Sequence, residues 1–147
     1  MSASLVNETD RTTILARLRR VTPEHAPNWG TLTAPKMLCH VTDQLRVATG
    51  IVTGRRRDSL LRRTLLKWIV VHTPFKAPPG RVQTGPEMLG TTPTSWADDM
   101  VTCERLIAEV GLGKANGRHP AFGLLNGREW GLLAWKHFDH HLRQFGE

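Results

Sequence analysis

Apolar residues along the chain recur every three or four positions, the helical period, and each recurrence is bracketed by residues that start or stop helices. Ile14, Leu18 and Val21 share one side of a first helix that Asn7 or Thr9 can cap; it runs to about Arg20, and Thr22-Pro23 ends it. Pro27-Asn28-Trp29-Gly30 reads as a connection. Thr33 caps a second helix to about Ala48, with Pro35 tolerated in the first turn and Gly50 as the stop. Asp58 caps a third, from about Ser59 to His72, which Pro74 closes. The stretch from Pro74 to Pro93 is rich in Pro and Gly and reads as a long ordered loop, a kind that often lines a site. Thr92 and Pro93 make a cap and first-turn pair for a fourth helix to Val110, striped by Trp96, Met100, Cys103, Ile107 and Val110. Gly111 and Gly113 end it. A second loop from Lys114 to Leu125 leads to Asn126 and Glu129, which form a capping-box start for a last helix to about Phe145. No stretch alternates with strand period for long. The pattern predicts an all-α fold.

Composition narrows the function classes. At 147 residues the chain is the size of one domain, 1–147, with one core. Hydrophobic residues at 39% and charged residues at 22% exclude global disorder. Two cysteines cannot build a disulfide framework, which points to a reducing compartment. With no apolar run of the ~20 residues a membrane span needs, and no signal-peptide core, the expected location is cytoplasmic. Tyrosine is absent, so no mechanism can use one. The net charge of +7 gathers partly in Arg55, Arg56, Arg57, Arg62, Arg63 and Lys67. Such a stripe can bind phosphate, but no zinc-finger spacing, aromatic RNA-binding motif or helix-turn-helix accompanies it. A solvated helix face is the simpler reading, and nucleic acid is not the expected partner. Leu65, Leu66, Trp68, Ile69 and Val70 beside the stripe leave a membrane-surface role as a minor option, and an apolar patch there could support a homodimer.

The seven histidines carry more information. On a wheel of about 100° per residue, His137 and His141 fall in one sector of the last helix with Trp130 and Ala134. His140 lies nearer the polar edge, and Lys136, Asp139 and Arg143 occupy the opposite arc. The H-x-x-x-H spacing puts two imidazoles on adjacent turns, able to hold one metal ion, although many helices carry such a pair as hydrogen-bonded core or surface histidines. On the second helix His40 lies near the apolar stripe with Met37, Gln44, Val47 and Ala48. Cys39 projects roughly 100° away and is no co-ligand, and Cys103 reads as a small core residue. Three neutral imidazoles leave coordination positions open, as a catalytic rather than structural site requires, and a metal there lowers the pKa of a bound water or thiol. Gln144, one turn beyond His141, can bond a metal-bound water, a ligand imidazole or a neighbour at the helix edge. Asp43 can orient an imidazole, although its wheel position favours a surface salt bridge. His119 precedes Pro120 and is extended; it lines the pocket mouth or serves a structural turn. Trp29, Trp130 and Trp135 read first as packing residues, with Trp130 also a pocket candidate. Arg118 and Arg128 flank the His119 loop and could take a substrate carboxylate.

Several pieces together resemble a known family: Trp29-Gly30, Met37-Leu38-Cys39-His40 with Asp43, Pro86-Glu87-Met88, His119-Pro120-Ala121-Phe122-Gly123, Glu129-Trp130-Gly131, and His137 to Phe145 with its H-x-x-x-H-L-x-Q-F pattern. From Trp29 to Phe145 the chain resembles the DinB/YfiT-like metalloenzyme superfamily, and more narrowly a branch catalogued as a domain of unknown function. The resemblance implies a four-helix bundle in up-down-down-up order, here with an extra helix and a long Pro/Gly-rich loop between Ser59 and Pro93. It implies a metal ion, zinc, nickel or iron, held by His40, His137 and His141. It further implies activation of a low-molecular-weight thiol such as bacillithiol, mycothiol or glutathione for attack on a small-molecule electrophile. The expected function is therefore a metal-dependent thiol S-transferase or a hydrolase whose nucleophile is a bound water or thiol. The alternatives are a non-catalytic small-molecule-binding bundle, or an anionic-surface binder working through residues 55–67.

Overall fold

The computed structural model describes residues 2–76, 78 and 86–147, and it is mostly helical. The first helix, α1 (Glu8–Leu18), starts where the Asn7 side chain accepts from the Asp10 N–H, and it buries Ile14 and Leu18. Thr33 caps α2 (Ala34–Ala48) by accepting from the Lys36 N–H. Of the fifteen residues of α2, twelve are buried, His40, Thr42, Asp43 and Gln44 among them. A helix buried on nearly all sides must give its polar groups protein partners, because water cannot reach them.

The segment predicted as the third helix forms, but its first turns are wider than expected. A π-helical stretch, Arg62–Leu66, runs directly into α3 (Lys67–His72). Its start is capped by Ser59, whose Oγ accepts from the Arg62 N–H, and not by Asp58. The Asp58 carboxylate is engaged elsewhere, with Arg56 at 2.8 Å and Arg118 at 2.6 Å. Tertiary ion pairs have outcompeted the local cap. Much of the expected 74–93 loop lies outside the described residues; its later part holds a 3₁₀ turn, Pro86–Met88.

The next helix, α4 (Trp96–Gly111), begins at Ser95 and not at the expected Thr92-Pro93. The reason is Asp99, whose carboxylate accepts from both the N–H and the hydroxyl of Thr94 and so holds Thr94 outside the helix. Its stripe buries Cys103, Leu106, Ile107 and Val110, with Trp96 and Met100 packed partly against the core. The expected 114–125 loop contains a minimal antiparallel pair, β1 (Arg118–His119) and β2 (Gly123–Leu124), with His119 opposite Gly123. Two-residue strands are too short to leave an alternation signal. The last helix, α5 (Gly127–Gln144), opens with both halves of the Asn126–Glu129 capping box formed.

Two helices, α4 and α5, close on α2, while α1 packs against α5 and α4, and α3 against α5. One contiguous core joins residues from α1, α2, α4 and α5. The loop before β1 is pressed onto the end of α2: the Gly117 N–H bonds the Ala48 carbonyl at 2.8 Å. A Cβ on Gly117 would stand 1.8 Å from the Val47 carbonyl oxygen, so only glycine fits. On α5, α3 is pinned from both ends. Lys67 pairs with Glu129 at 2.8 Å, and Lys136 donates to the carbonyls of Val70, Val71 and Thr73. A cation at a helix C-terminus meets its unpaired carbonyls and its negative end. The outer side of this segment leaves Leu60 73% and Trp68 59% exposed. Among the described residues no helix is long and apolar enough to cross a membrane.

Candidate metal centre

His40 from the middle of α2 meets His137 and His141 from adjacent turns of α5. The three rings stand edge-on to one another, with centroids 4.6, 4.7 and 4.7 Å apart. One nitrogen from each lies within 4.8 Å of the others, and the Nε2 atoms of His40 and His137 are 2.8 Å apart. His40 is buried; His137 and His141 are half-buried and open on one side to a cavity.

Each ring is held from behind through Nδ1. His40 Nδ1 donates to the Met88 carbonyl at 2.6 Å. His137 Nδ1 meets Gln44 Oε1 at 2.8 Å, and His141 Nδ1 meets Gln144 Oε1 at 2.8 Å. The Gln144 amide is itself oriented, because its Nε2 donates to the Trp29 carbonyl at 2.8 Å. His40 meets a backbone carbonyl and His141 an amide oxygen fixed by Trp29, so both rings carry their proton on Nδ1; with Gln44 Oε1 turned toward it, His137 does the same and each Nε2 presents a bare lone pair. In that arrangement the Nε2 atoms of His40 and His137, 2.8 Å apart, face each other as two acceptors that a shared proton or a metal ion would satisfy. Tautomers fixed by an outer hydrogen bond, with the inner nitrogens convergent, are what a metal-binding histidine set requires. The three side chains could hold a metal ion.

Electrostatics favour the neutral, ligand-competent form. Burial and the neighbouring His40 and His141 hold His137 well below the usual imidazole range. Burial, with His40 beside it, pushes His141 down to about 3. Burial also lowers His40, with the Met88 carbonyl opposing. No proton therefore competes for these nitrogens near neutral pH.

The supporting residues divide. Gln144 bonds a candidate ligand imidazole directly. Asp43 does not, nor does it sit in a surface salt bridge: it is buried, 3% exposed. Its carboxylate accepts from the Thr91 hydroxyl at 2.5 Å and N–H at 3.2 Å, and from Arg46 at 2.6 Å. That latch fastens the chain just beyond Met88, so Asp43 makes no hydrogen bond to His40 and supports it through the Met88 carbonyl and through its charge. His119 lines the cavity and also builds its turn, with Nδ1 accepting from the Ala121 and Phe122 N–H groups at 3.1 Å each. Trp130 is no pocket residue. It is completely buried, and its Nε1 donates to the Gly117 carbonyl. Arg118 is spent on Asp58, and neither it nor Arg128 lines the cavity over the histidines. Sequence reasoning missed Gln44 as an orienting group; its signal was a buried-stripe amide one turn beyond His40. It also missed Met88 and Thr91.

Cys39 and Cys103 stand apart from this chemistry. Burial, reinforced by Asp99, pushes the Cys39 thiol up to about 11, and burial takes Cys103 to about 12. Neither is a nucleophile at neutral pH.

Above the three rings lies a cavity of about 930 Å³, walled by α5, the segment containing α3, the 3₁₀ turn and the His119 turn. Within the basic segment Arg56 and Arg63 share Asp58 with Arg118, Arg57 pairs with Glu87 and Lys67 with Glu129, so three carboxylates offset part of its charge.

A family model described as "Protein of unknown function (DUF1569)" matches residues 6–147. No curated protein and no solved structure matches the chain.

Proposed function

The chain belongs to the DUF1569 family, and we propose that it is a metal-dependent enzyme of DinB-like kind, a thiol S-transferase or a hydrolase, with His40, His137 and His141 as metal ligands. One observation carries the reading: three imidazoles converge through bare Nε2 atoms while every Nδ1 is bonded to an oxygen. The same proposal takes α1, α2, α4 and α5 as the four helices of an up-down-down-up bundle, with α3 as an addition that walls the pocket.

Three neutral nitrogen ligands suit zinc, nickel or iron and leave positions open beside the cavity. A divalent ion bound there supplies Lewis acidity, which makes a coordinated water or thiol a nucleophile near neutral pH. This chain's own residues do the rest. Met88, Gln44 and Gln144 fix the imidazoles, the Asp43–Thr91 latch holds Met88 in place, and α3 with the His119 turn shapes the space for a small-molecule substrate.

Metal analysis of the purified protein tests the reading. Wild type is expected to carry about one equivalent of metal and to gain thermal stability on addition of zinc or nickel. A His137→Ala, His141→Ala double variant is expected to lose both. Equal low metal in the two proteins, with no thermal shift in wild type, overturns the proposal and leaves the non-catalytic binding module.

A further inference from the structure

The cavity over the histidines is lopsided in charge. Among the described residues five Lys or Arg side chains line it (Arg57, Arg62, Lys76, Lys136 and Arg143) against a single carboxylate, Asp139. That carboxylate is already closed by Arg17 at 2.9 Å and Arg143 at 3.0 Å. Arg57 is occupied by Glu87, and the donors of Lys136 are spent on three backbone carbonyls. Arg62 and Lys76 remain. Arg62 gives one N–H to the Arg57 carbonyl at 2.7 Å, and among the described residues neither cation has a carboxylate partner. A guanidinium has five donors, so most of those on Arg62 stay open to a ligand.

The walls are apolar. Leu66, Val70 and Phe75 line one part and Met88 and Phe122 another. Leu66 is 40% and Phe75 43% exposed, so a bound apolar group would remove their surface from water. We infer that the natural ligand of this cavity is an anionic amphipathic small molecule, a carboxylic acid or phosphate ester with an apolar body, whose acid group is held by Arg62 and Lys76. The apolar body packs on Leu66, Phe75 and Phe122. In the enzyme reading, on which this assignment of a substrate class rests, the acid end anchors the molecule while its reacting atom faces the histidines.

The test uses the chelator-treated 147-residue chain, so that an acid group cannot bind merely by coordinating a metal. Three probes share one apolar body: 4-phenylbutyrate, 4-phenylbutyl phosphate and the neutral 4-phenylbutanol, each titrated by calorimetry. At least one anion is expected to bind about tenfold tighter than the alcohol, the size of two solvent-screened charge contacts. The tighter of the two anions identifies the acid. Arg62→Gln with Lys76→Gln removes the advantage of the anion and leaves alcohol affinity and melting temperature unchanged, since both side chains are exposed. The inference is overturned if the alcohol binds as tightly as both anions, if the double variant keeps the preference, or if neither anion saturates by about 10 mM. Because no metal is present, these outcomes are separate from metal analysis. Retained anion binding in a protein that takes up no metal would remove the enzyme reading alone.

Discussion

Replacing Gln44 with Leu tests the fixed-tautomer logic of the centre, because that logic predicts where the damage goes. Gln44 is buried, 4% exposed, and its Oε1 meets His137 Nδ1 at 2.8 Å. Leucine fills similar volume but offers no acceptor. In the metal-free protein His137 has an escape: its proton moves to Nε2 and is donated to the bare Nε2 of His40, 2.8 Å away. One hydrogen bond replaces another, so the metal-free stability falls by no more than about 1 kcal/mol. With a metal bound the escape is closed, because Nε2 must be bare to coordinate. Nδ1–H then faces a hydrocarbon, at about 1–3 kcal/mol for an unsatisfied buried donor. That corresponds to roughly a 10–100-fold loss of metal affinity. The assay is competition for zinc with a chromophoric chelator, alongside chemical denaturation of the chelated protein. Gln44→Glu, which restores an acceptor of higher basicity, is the companion variant and should retain zinc at least as well as wild type. Zinc affinity within threefold of wild type in Gln44→Leu, or a stability loss in the chelated protein larger than the affinity loss, would refute the reasoning.

Two further outcomes follow from the loop that closes the cavity. His119 is held neutral, pushed down to about 4 chiefly by burial and then by Arg57, and its Nδ1 accepts two backbone N–H groups that protonation would break. Its folded value lies below the unfolded ~6.5, so the folded state binds fewer protons; stability is full above that value and is lost as pH falls through it toward 4. His119→Asn keeps an acceptor in place without titrating. Denaturation of chelated wild type and variant at pH 7.5 and pH 4 should show the variant gaining at most about 3 kcal/mol relative to wild type at the lower pH; parallel pH profiles would contradict this. Gly117→Ala places a methyl 1.8 Å from the Val47 carbonyl oxygen and disturbs the carbonyl that Trp130 bonds. A destabilisation of about 2–4 kcal/mol is expected, and a loss below about 1 kcal/mol would mean that the loop does not press on α2.

How far the fold could be read depended on whether a decision was local. Asn7, Thr33 and Asn126 cap as their sequence contexts predict, since each partner N–H lies three residues away. The starts of the third and fourth helices were misplaced because each was decided by a contact outside the capping pattern. Arg118, sixty residues on, claims Asp58 and leaves Ser59 to cap. Asp99 claims Thr94 and moves the next cap to Ser95. In both cases the expected capping residue was chemically able; a stronger, charge-assisted bond settled the matter.

The candidate site was legible in its inner ring and opaque in its outer one, for a related reason. A helical wheel places His137 with His141 and His40 on a buried stripe, because burial and periodicity are properties of a single helix. The groups that orient them act between elements. Gln44 stands one turn beyond His40 yet serves His137 on α5, and the group that serves His40 is a backbone carbonyl, to which no residue type corresponds. Asp43 looked like a surface acid because the wheel counts only the faces that helices cover. The Pro86–Met88 turn and Thr91 cover the remaining face, and their hydrogen bonds turn a would-be surface carboxylate into a latch. The better signal was the polar content of α2 itself. His40, Thr42, Asp43 and Gln44 are consecutive but for one residue, on a helix whose flanks are Met37, Leu38, Val41, Leu45 and Val47. Four polar side chains so close in sequence cannot all point to solvent from a central helix. Burying them is tolerable only if each is bonded, and here the bonds of three of them lead to the histidine centre or to the chain that holds it.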